Sequence, residues 1–261
     1  MGTGSLRAGW QEELTAPEPG EFPPLRPVKL EYLCGWAGLK AGEVQARFSR
    51  PGLGICELEV KGGTTGLARA LWRLDATHEA RASILTLKPL AVRQEEVYRA
   101  QTVRTELEFD ERGVTRLRES TAEQNPARHK RYDFPGLFDL QTALLFVRSQ
   151  KLLTGQVYRI VVYPASNPYL ATVTVLGRER IKVKAGIYPA IKVDLRLQKV
   201  ASDMQLEPHG KFKRATGWIS DDEDRLPLRL NAQIFVGTVS VELEKVESTT
   251  STSSTTSTPS G

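Results

Sequence analysis

Ile191-Lys192-Val193-Asp194-Leu195-Arg196-Leu197-Gln198 places an apolar side chain at every second position and a polar one between each pair. Neighbouring side chains on an extended strand point to opposite faces, so this segment makes a strand with one oily and one wet surface. A half-solvated antiparallel sheet needs that arrangement. The same alternation runs through Val103, Thr105, Leu107 and Phe109, through Val239, Val241 and Leu243, and through Leu226, Leu228 and Leu230. Turn signals punctuate these runs at Pro51-Gly52, Gly62-Gly63, Asp110-Glu111-Arg112-Gly113 and Asn167-Pro168. Their spacing predicts roughly ten or eleven strands, mostly joined as meanders.

Two segments leave this rhythm. Leu67, Ala70, Leu71 and Leu74 follow the i, i+3, i+4, i+7 spacing of a helix, with Thr64 or Thr65 as N-cap. Asp139 can cap a second helix that turns Leu140, Leu144, Leu145 and Val147 inward; Lys151 stands near its C-terminus and Gly155 stops it. The expected fold is therefore α+β and mainly antiparallel β: a long curved sheet, a half-barrel, wrapped over two helices.

The ends read differently from the middle. Residues 1–27 carry Pro17, Pro19, Pro23, Pro24 and Pro27 and are expected to be a disordered Pro-rich leader. Residues 247–261 are almost pure Ser and Thr, with no apolar groups to offset the entropy of ordering, and are expected to be a disordered tail. Residues 28–246 remain as one β-rich domain, long enough to bury a core without disulfide or metal. Net charge is +5, with 36 basic against 31 acidic residues; so small a surplus does not mark a nucleic-acid binder. No apolar stretch approaches the length of a transmembrane helix, and Met1–Pro27 holds no charged n-region followed by an apolar h-region. Cys34 and Cys56 both sit in apolar stretches, where a free thiol behaves as a small hydrophobe, and a single disulfide between them is also possible.

No segment carries a catalytic signature. His78, His129 and His209 are far apart, and none sits in a metal-ligand or nucleophile motif, so neither cofactor nor metal is expected. Lys61-Gly62-Gly63-Thr64-Thr65-Gly66 resembles a phosphate loop only loosely, because its lysine precedes the glycines; it reads as a strand-to-helix turn. Asp221-Asp222-Glu223-Asp224 lacks the EF-hand spacing and reads as a solvated hairpin, with Arg225 offsetting the charge. Arg128-His129-Lys130-Arg131 reads as a basic loop. Arg178, Arg180, Lys182 and Lys184 read as one face of a strand. Neither patch interleaves aromatics with its cations as nucleic-acid platforms do, and lipid phosphates suit them better than RNA. Trp36, Trp72, Phe146, Tyr158 and Trp218 fall on predicted strands and helices; in an incompletely filled half-barrel they would line an apolar groove on the concave side.

The order of these features resembles a bacterial family of unknown function, domain-of-unknown-function family 3108. The likeness is carried by Leu30-Glu31-Tyr32, by Leu39-Lys40-Ala41-Gly42, and by the helix from Asp139 through Ala143-Leu144-Leu145-Phe146-Val147-Arg148. It is clearest at the end, in Trp218-Ile219-Ser220-Asp221-Asp222, Arg225-Leu226-Pro227-Leu228-Arg229 and Val236-Gly237. The resemblance implies an exported, periplasmic protein similar in fold to curved-sheet envelope proteins, with no catalytic residues to carry over; a cytoplasmic location is the alternative.

The expected function is that of a non-enzymatic envelope protein holding an apolar ligand or lipid on the concave sheet face. The alternative is a structural or protein-interaction module, docking through a sheet edge or through Arg178–Lys184. A hydrolase with a dispersed site at Asp221, Asp222 and Arg225 ranks behind both.

Overall fold

Strand β1 (Val28–Trp36) buries Val28, Leu30 and Tyr32 and leaves Lys29, Glu31 and Leu33 half-exposed. The computed structural model, which describes residues 9–123 and 127–248, contains fifteen strands, and many of them share that alternation. A meander of β2 (Leu39–Gly52), β3 (Ile55–Thr64), β4 (Leu74–Ser83), β5 (Pro89–Tyr98), β6 (Thr102–Asp110), β7 (Gly113–Ser120) and β8 (Arg128–Asp133) runs out from one side of β1. From the other side run β15 (Gly237–Ser248), β14 (Pro227–Ile234), β13 (Phe212–Ser220), β11 (Gly186–Val200), β10 (Tyr169–Val183) and β9 (Val157–Val162); the short β12 (Leu206–Pro208) pairs with β11 off this path. Every pairing between strands is antiparallel, and the sheet stays open, with β8 and β9 as its edges.

The count exceeds the ten or eleven strands expected because several strands have no clean alternation. Arg128-His129-Lys130-Arg131, expected as a loop, opens β8, pairing Arg128 with Arg118 and Tyr132 with Val114. An edge strand facing water on most sides has no need of a periodic oily face, and its charges discourage further pairing.

The wrap over two helices is corrected to one. Helix α2 (Leu140–Ser149) is built as expected at its start: the Asp139 carboxylate accepts from the amides of Gln141 and Thr142, and the Thr142 hydroxyl completes a capping box. It buries Ala143, Leu145, Phe146 and Val147, whereas Leu140 and Leu144, expected inside, lie on its exposed flank. The helix ends at Ser149, before Gly155, and the chain then turns through positive φ at Leu152 and again at Gly155. Helix α1 (Gly66–Leu71) has only six residues and no buried side chain. Leu67, Leu71 and Trp72 are all exposed, and Leu74 belongs to β4. Thr65 makes no side-chain cap; the Thr64 hydroxyl instead donates to the Trp72 carbonyl and accepts from the Leu74 amide, closing the loop across its base.

Residues 9–27, expected as part of a disordered leader, run along the body as a strap. The Trp10 indole stacks on Phe134 and donates to the Met204 carbonyl. Thr15 exchanges hydrogen bonds with the backbone of Arg159 on β9, covering that edge, and Leu25 is buried against β1 and β2. A core cluster joining Val114, Phe134, Leu137, Val161 and Tyr163 with Trp10 and Leu14 thus bridges the gap between the two sheet edges. Of the expected disordered tail, Glu247 and Ser248 instead end β15, paired with Lys29 and Val28, and residues 249–261 lie outside the described residues.

Candidate ligand-binding face

Phe48, Leu58, Ala80, Val92 and Leu107 stand in register across β2 to β6 and mark the inner face of the sheet. At this end the interior is filled. Leu145 of α2, Leu25 of the strap, and Ile181 and Val183 from the tip of the β10–β11 hairpin pack with Val28, Phe48, Cys56, Ala82, Leu228 and Leu243. Gly177, at φ +153, sits at the bulge that bends this hairpin over. Ten helical residues span about 15 Å, whereas the fourteen residues of β2 span roughly 46 Å, so α2 reaches only part of the inner face.

Further along the same strands the inner face changes character. Val44, Ala46, Val60 and Ala76 share the parity of Phe48 and Ala80 but are only half-buried, as are Cys34, Val239 and Val241 on the adjoining strands. Toward β5 and β7 the residues become polar. His78 Nε2 lies 3.6 Å from Glu96 Oε1, the Tyr98 hydroxyl donates to Glu96 Oε2 at 3.0 Å, and Arg118 pairs with Glu123 at 2.7 Å. His78 and then Tyr98 hold the Glu96 carboxyl below the usual range, while burial and the Glu96 charge push the Tyr98 phenol up to about 12. His78 Nε2 is buried, with no hydrogen-bond partner among the described residues. An apolar strip therefore borders a polar strip on one inner surface, in suitable order for an amphiphilic molecule.

The five aromatics expected to line one groove are dispersed. Phe146 is wholly buried, its ring 4.9 Å from that of Phe138, and Tyr158 packs in the same cluster with its hydroxyl on Gln156. The Trp218 indole donates to Glu179, and its ring is flanked by the cations of Lys192 and Arg229. Trp36 and Trp72 are exposed at the end of the barrel away from α2. Of the five, only Trp36 sits at the mouth of the half-buried inner strip, directly beyond Cys34 on β1.

Asp221, Asp222 and Arg225 do come together, in a structural turn between β13 and β14. The Asp222 carboxylate accepts from the Ser220 hydroxyl and from the amides of Asp224 and Arg225. Asp221 pairs with Arg178 at 2.8 Å. Arg225 Nη1 donates to the Arg148 and Gln150 carbonyls at the C-terminus of α2, and its guanidinium lies 3.6 Å from the centre of the Phe22 ring. Arg148 reaches the same ring from 5.0 Å and donates to the carbonyls of Pro23 and Asp224. Burial, together with the Arg225 charge, pushes the Arg148 guanidinium down to about 10. The turn thus ties strap, helix and hairpin together, and its polar atoms are committed to that task. Among the described residues no group of three or more His, Cys, Asp or Glu side chains is close enough to hold a metal ion.

Cys34 and Cys56 are both free thiols. They lie on β1 and β3 with β2 between them, and Cys34 stands level with Gly42 and Thr64, eight residues along β3 from Cys56, so roughly 26 Å of strand separates them as well as two strand spacings. That is beyond the reach of a disulfide.

Among solved structures, the chain is similar to the β-barrel-like protein of domain-of-unknown-function family DUF1849 from Brucella abortus, with a TM-score of 0.59 at 11% identity, covering 86% of this chain and 98% of that one. A protein from Parabacteroides distasonis matches at 8% identity over 88% of this chain and 99% of its own, with a TM-score of 0.36. A protein of YmcC-like fold from Bacteroides fragilis matches at 10% identity over 88% and 99%, with a TM-score of 0.32. The first likeness supports the open, barrel-like arrangement of the sheet and says nothing of a ligand. None of the curated proteins matches the chain. Residues 31–244 match the family described as protein of unknown function DUF3108, and the chain belongs to that family.

Proposed function

We propose that this is a non-enzymatic envelope protein whose half-barrel holds the apolar part of a ligand, such as a lipid chain, on the inner face at the end α2 does not reach. One observation carries the reading: along β1 to β4, apolar side chains of one face pass from fully buried at Val28, Phe48, Cys56 and Ala82 to half-buried at Cys34, Val44, Val60 and Ala76. Such side chains inside a barrel remain wet unless something covers them, and covering them is favourable by about 25 cal/mol per Å². The neighbouring His78, Glu96 and Tyr98 offer a place for a polar head group. The exported location implied by the family resemblance belongs to the same proposal.

Titration with an environment-sensitive naphthalenesulfonate dye, followed by competition with a fatty acid, tests it. Saturable, fatty-acid-competed binding is expected in the parent protein and is lost in Val44→Glu and Val60→Glu. Val92→Leu, at the filled end, leaves it intact. Absence of saturable binding by the folded parent chain refutes the proposal.

A further inference from the structure

The end of the barrel at which the inner strip opens carries a second feature, which does not depend on whether that strip holds a ligand. Two hairpin tips lie side by side there. In the β1–β2 turn Trp36 and Leu39 stand out, and in the β14–β15 turn Phe235 and Val236 do; Leu39 is 63% and Phe235 62% exposed. The Trp36 indole donates to the Val236 carbonyl at 3.1 Å and the Ala37 amide donates to the Thr238 carbonyl, so the tips form one surface.

Helix α1 extends this surface. The Thr65 amide donates to the Ala41 carbonyl beside the β1–β2 turn, which holds α1 against β2, and Leu67, Leu71 and Trp72 are exposed there, Trp72 by 61%. From β14 to β4 the surface crosses six strands, roughly 24 Å at ordinary strand spacing. Leucines such as Leu53 and Leu85 are exposed at the other end of the barrel too. The exposed large aromatics among the described residues, Trp36, Trp72 and Phe235, all stand on this rim.

Cations surround it. Lys211, whose carbonyl accepts from the Phe235 amide, and Lys213 have no acidic partner within ion-pair distance among the described residues. Arg99, across β5 and β6, donates to the carbonyl of Ala70 on α1 and is likewise without a carboxylate. Nearby acids are occupied: Glu43 by Lys40, and Asp75 by Arg69 and Arg73. A contiguous apolar patch marks an interaction surface. Tryptophans at its edge and unpaired lysines beside it suit the boundary between acyl chains and anionic head groups.

We propose that this rim docks the protein on a membrane surface rich in anionic phospholipid, with the two hairpin tips and α1 entering the interface and Lys211, Lys213 and Arg99 facing phosphate. The docked barrel then presents the opening of its inner face to the bilayer.

The test is flotation of the full chain with phosphatidylcholine vesicles containing 30% phosphatidylglycerol, at low salt, together with tryptophan emission. Flotation with a blue shift is expected, weaker in 0.5 M salt or with pure phosphatidylcholine. Leu71→Asp with Phe235→Asp, and separately Lys211→Glu with Lys213→Glu, should each weaken partition by roughly tenfold or more. Leu53→Asp with Leu85→Asp, at the opposite end, should leave it unchanged. These sites are exposed, and circular dichroism establishes that the variants fold. Failure of the parent chain to float overturns the proposal; so does equal loss from the opposite-end pair, or a stable dimer that buries the rim and ignores vesicles. Dye binding on the inner face, measured without vesicles, survives the rim variants if the proposed function is right, so the two ideas fail separately.

Discussion

Arg225→Ala is the most informative single substitution, because it separates a structural tie from a chemical site. Arg225, 9% exposed, donates to the carbonyls of Arg148 in α2 and of Gln150 just after it, and its guanidinium lies over the Phe22 ring at 3.6 Å. A hydrogen bond from a charged donor contributes about 1.5–3 kcal/mol, and a desolvated cation–π contact about 2 kcal/mol. These do not add fully, since water can reach part of the vacated site, so a loss of about 3–5 kcal/mol is expected. Arg225→Lys keeps the charge and one donor but not the planar fork, and should lose roughly half of that. With a urea m-value near 3 kcal/mol/M for a chain of this size, the alanine variant's midpoint falls by about 1–1.7 M. Asp221→Ala, which breaks only a half-exposed pair with Arg178, should move it by less than about 1 kcal/mol. The reasoning is refuted if Arg225→Ala stays within about 0.5 kcal/mol of the parent, or if it leaves the strap no more susceptible to proteolysis.

Other consequences are open to direct measurement. Phe146→Ala, at a fully buried position, should lower stability by about 3–5 kcal/mol in thermal or urea denaturation, whereas Leu144→Ala on the exposed flank of the same helix should stay within about 0.5 kcal/mol. Burial raises both thiols, Cys56 to about 11, and Cys56 is fully enclosed; a thiol reagent at pH 8 should label Cys34 slowly and Cys56 only on unfolding. His209 Nδ1 accepts from the amides of Lys211 and Phe212, and partial burial lowers its pKa, so the folded state favours the neutral ring. The unfolded chain then binds more protons below its ordinary pKa of about 6.5. The stabilising contribution is present above that pH and lost as pH falls through the folded value. His209→Ala should abolish this part of the pH dependence, and nuclear magnetic resonance titration of the ring should report the lowered midpoint.

The sheet is legible wherever one face is dry and the other wet. Val103, Thr105 and Leu107 on β6 are buried while Arg104, Glu106 and Glu108 are exposed, and no tertiary knowledge is needed to see it. Asp139 is legible as a cap for the same reason: its hydrogen bonds reach only the next turn. What a sequence pattern cannot carry is distance in space. Leu67, Ala70 and Leu71 have a helix's spacing, but whether that stripe meets a partner depends on where the β3–β4 connection lies, and here it projects from the end of the sheet. The proline-rich strap misleads in the opposite direction. Its prolines exclude helix and strand, yet Trp10, Phe22 and Leu25 supply anchors that find stacking partners at Phe134 and Arg225 and a core position beside Phe48.

The inner polar strip shows why the candidate face was the hardest part to read. Around Thr77-His78-Glu79 and Gln94-Glu95-Glu96 polar residues occupy both faces of the strand, and simple alternation treats such stretches as weak strands or loops. Antiparallel pairing on both sides gives them their place: His78 opposes Val60 and Gln94, whose own strands are anchored by Leu58 and Val92 nearer the filled end. A strand buried at one end and wet at the other has alternation over half its length only. Loss of period two partway along successive neighbouring strands, at the same distance from their turns, is therefore what an incompletely filled barrel should write into its sequence. Val44, Val60 and Ala76 remain apolar where Gln94 and Glu96 on β5 have turned polar, so the apolar pattern runs further along β2 to β4 than along β5.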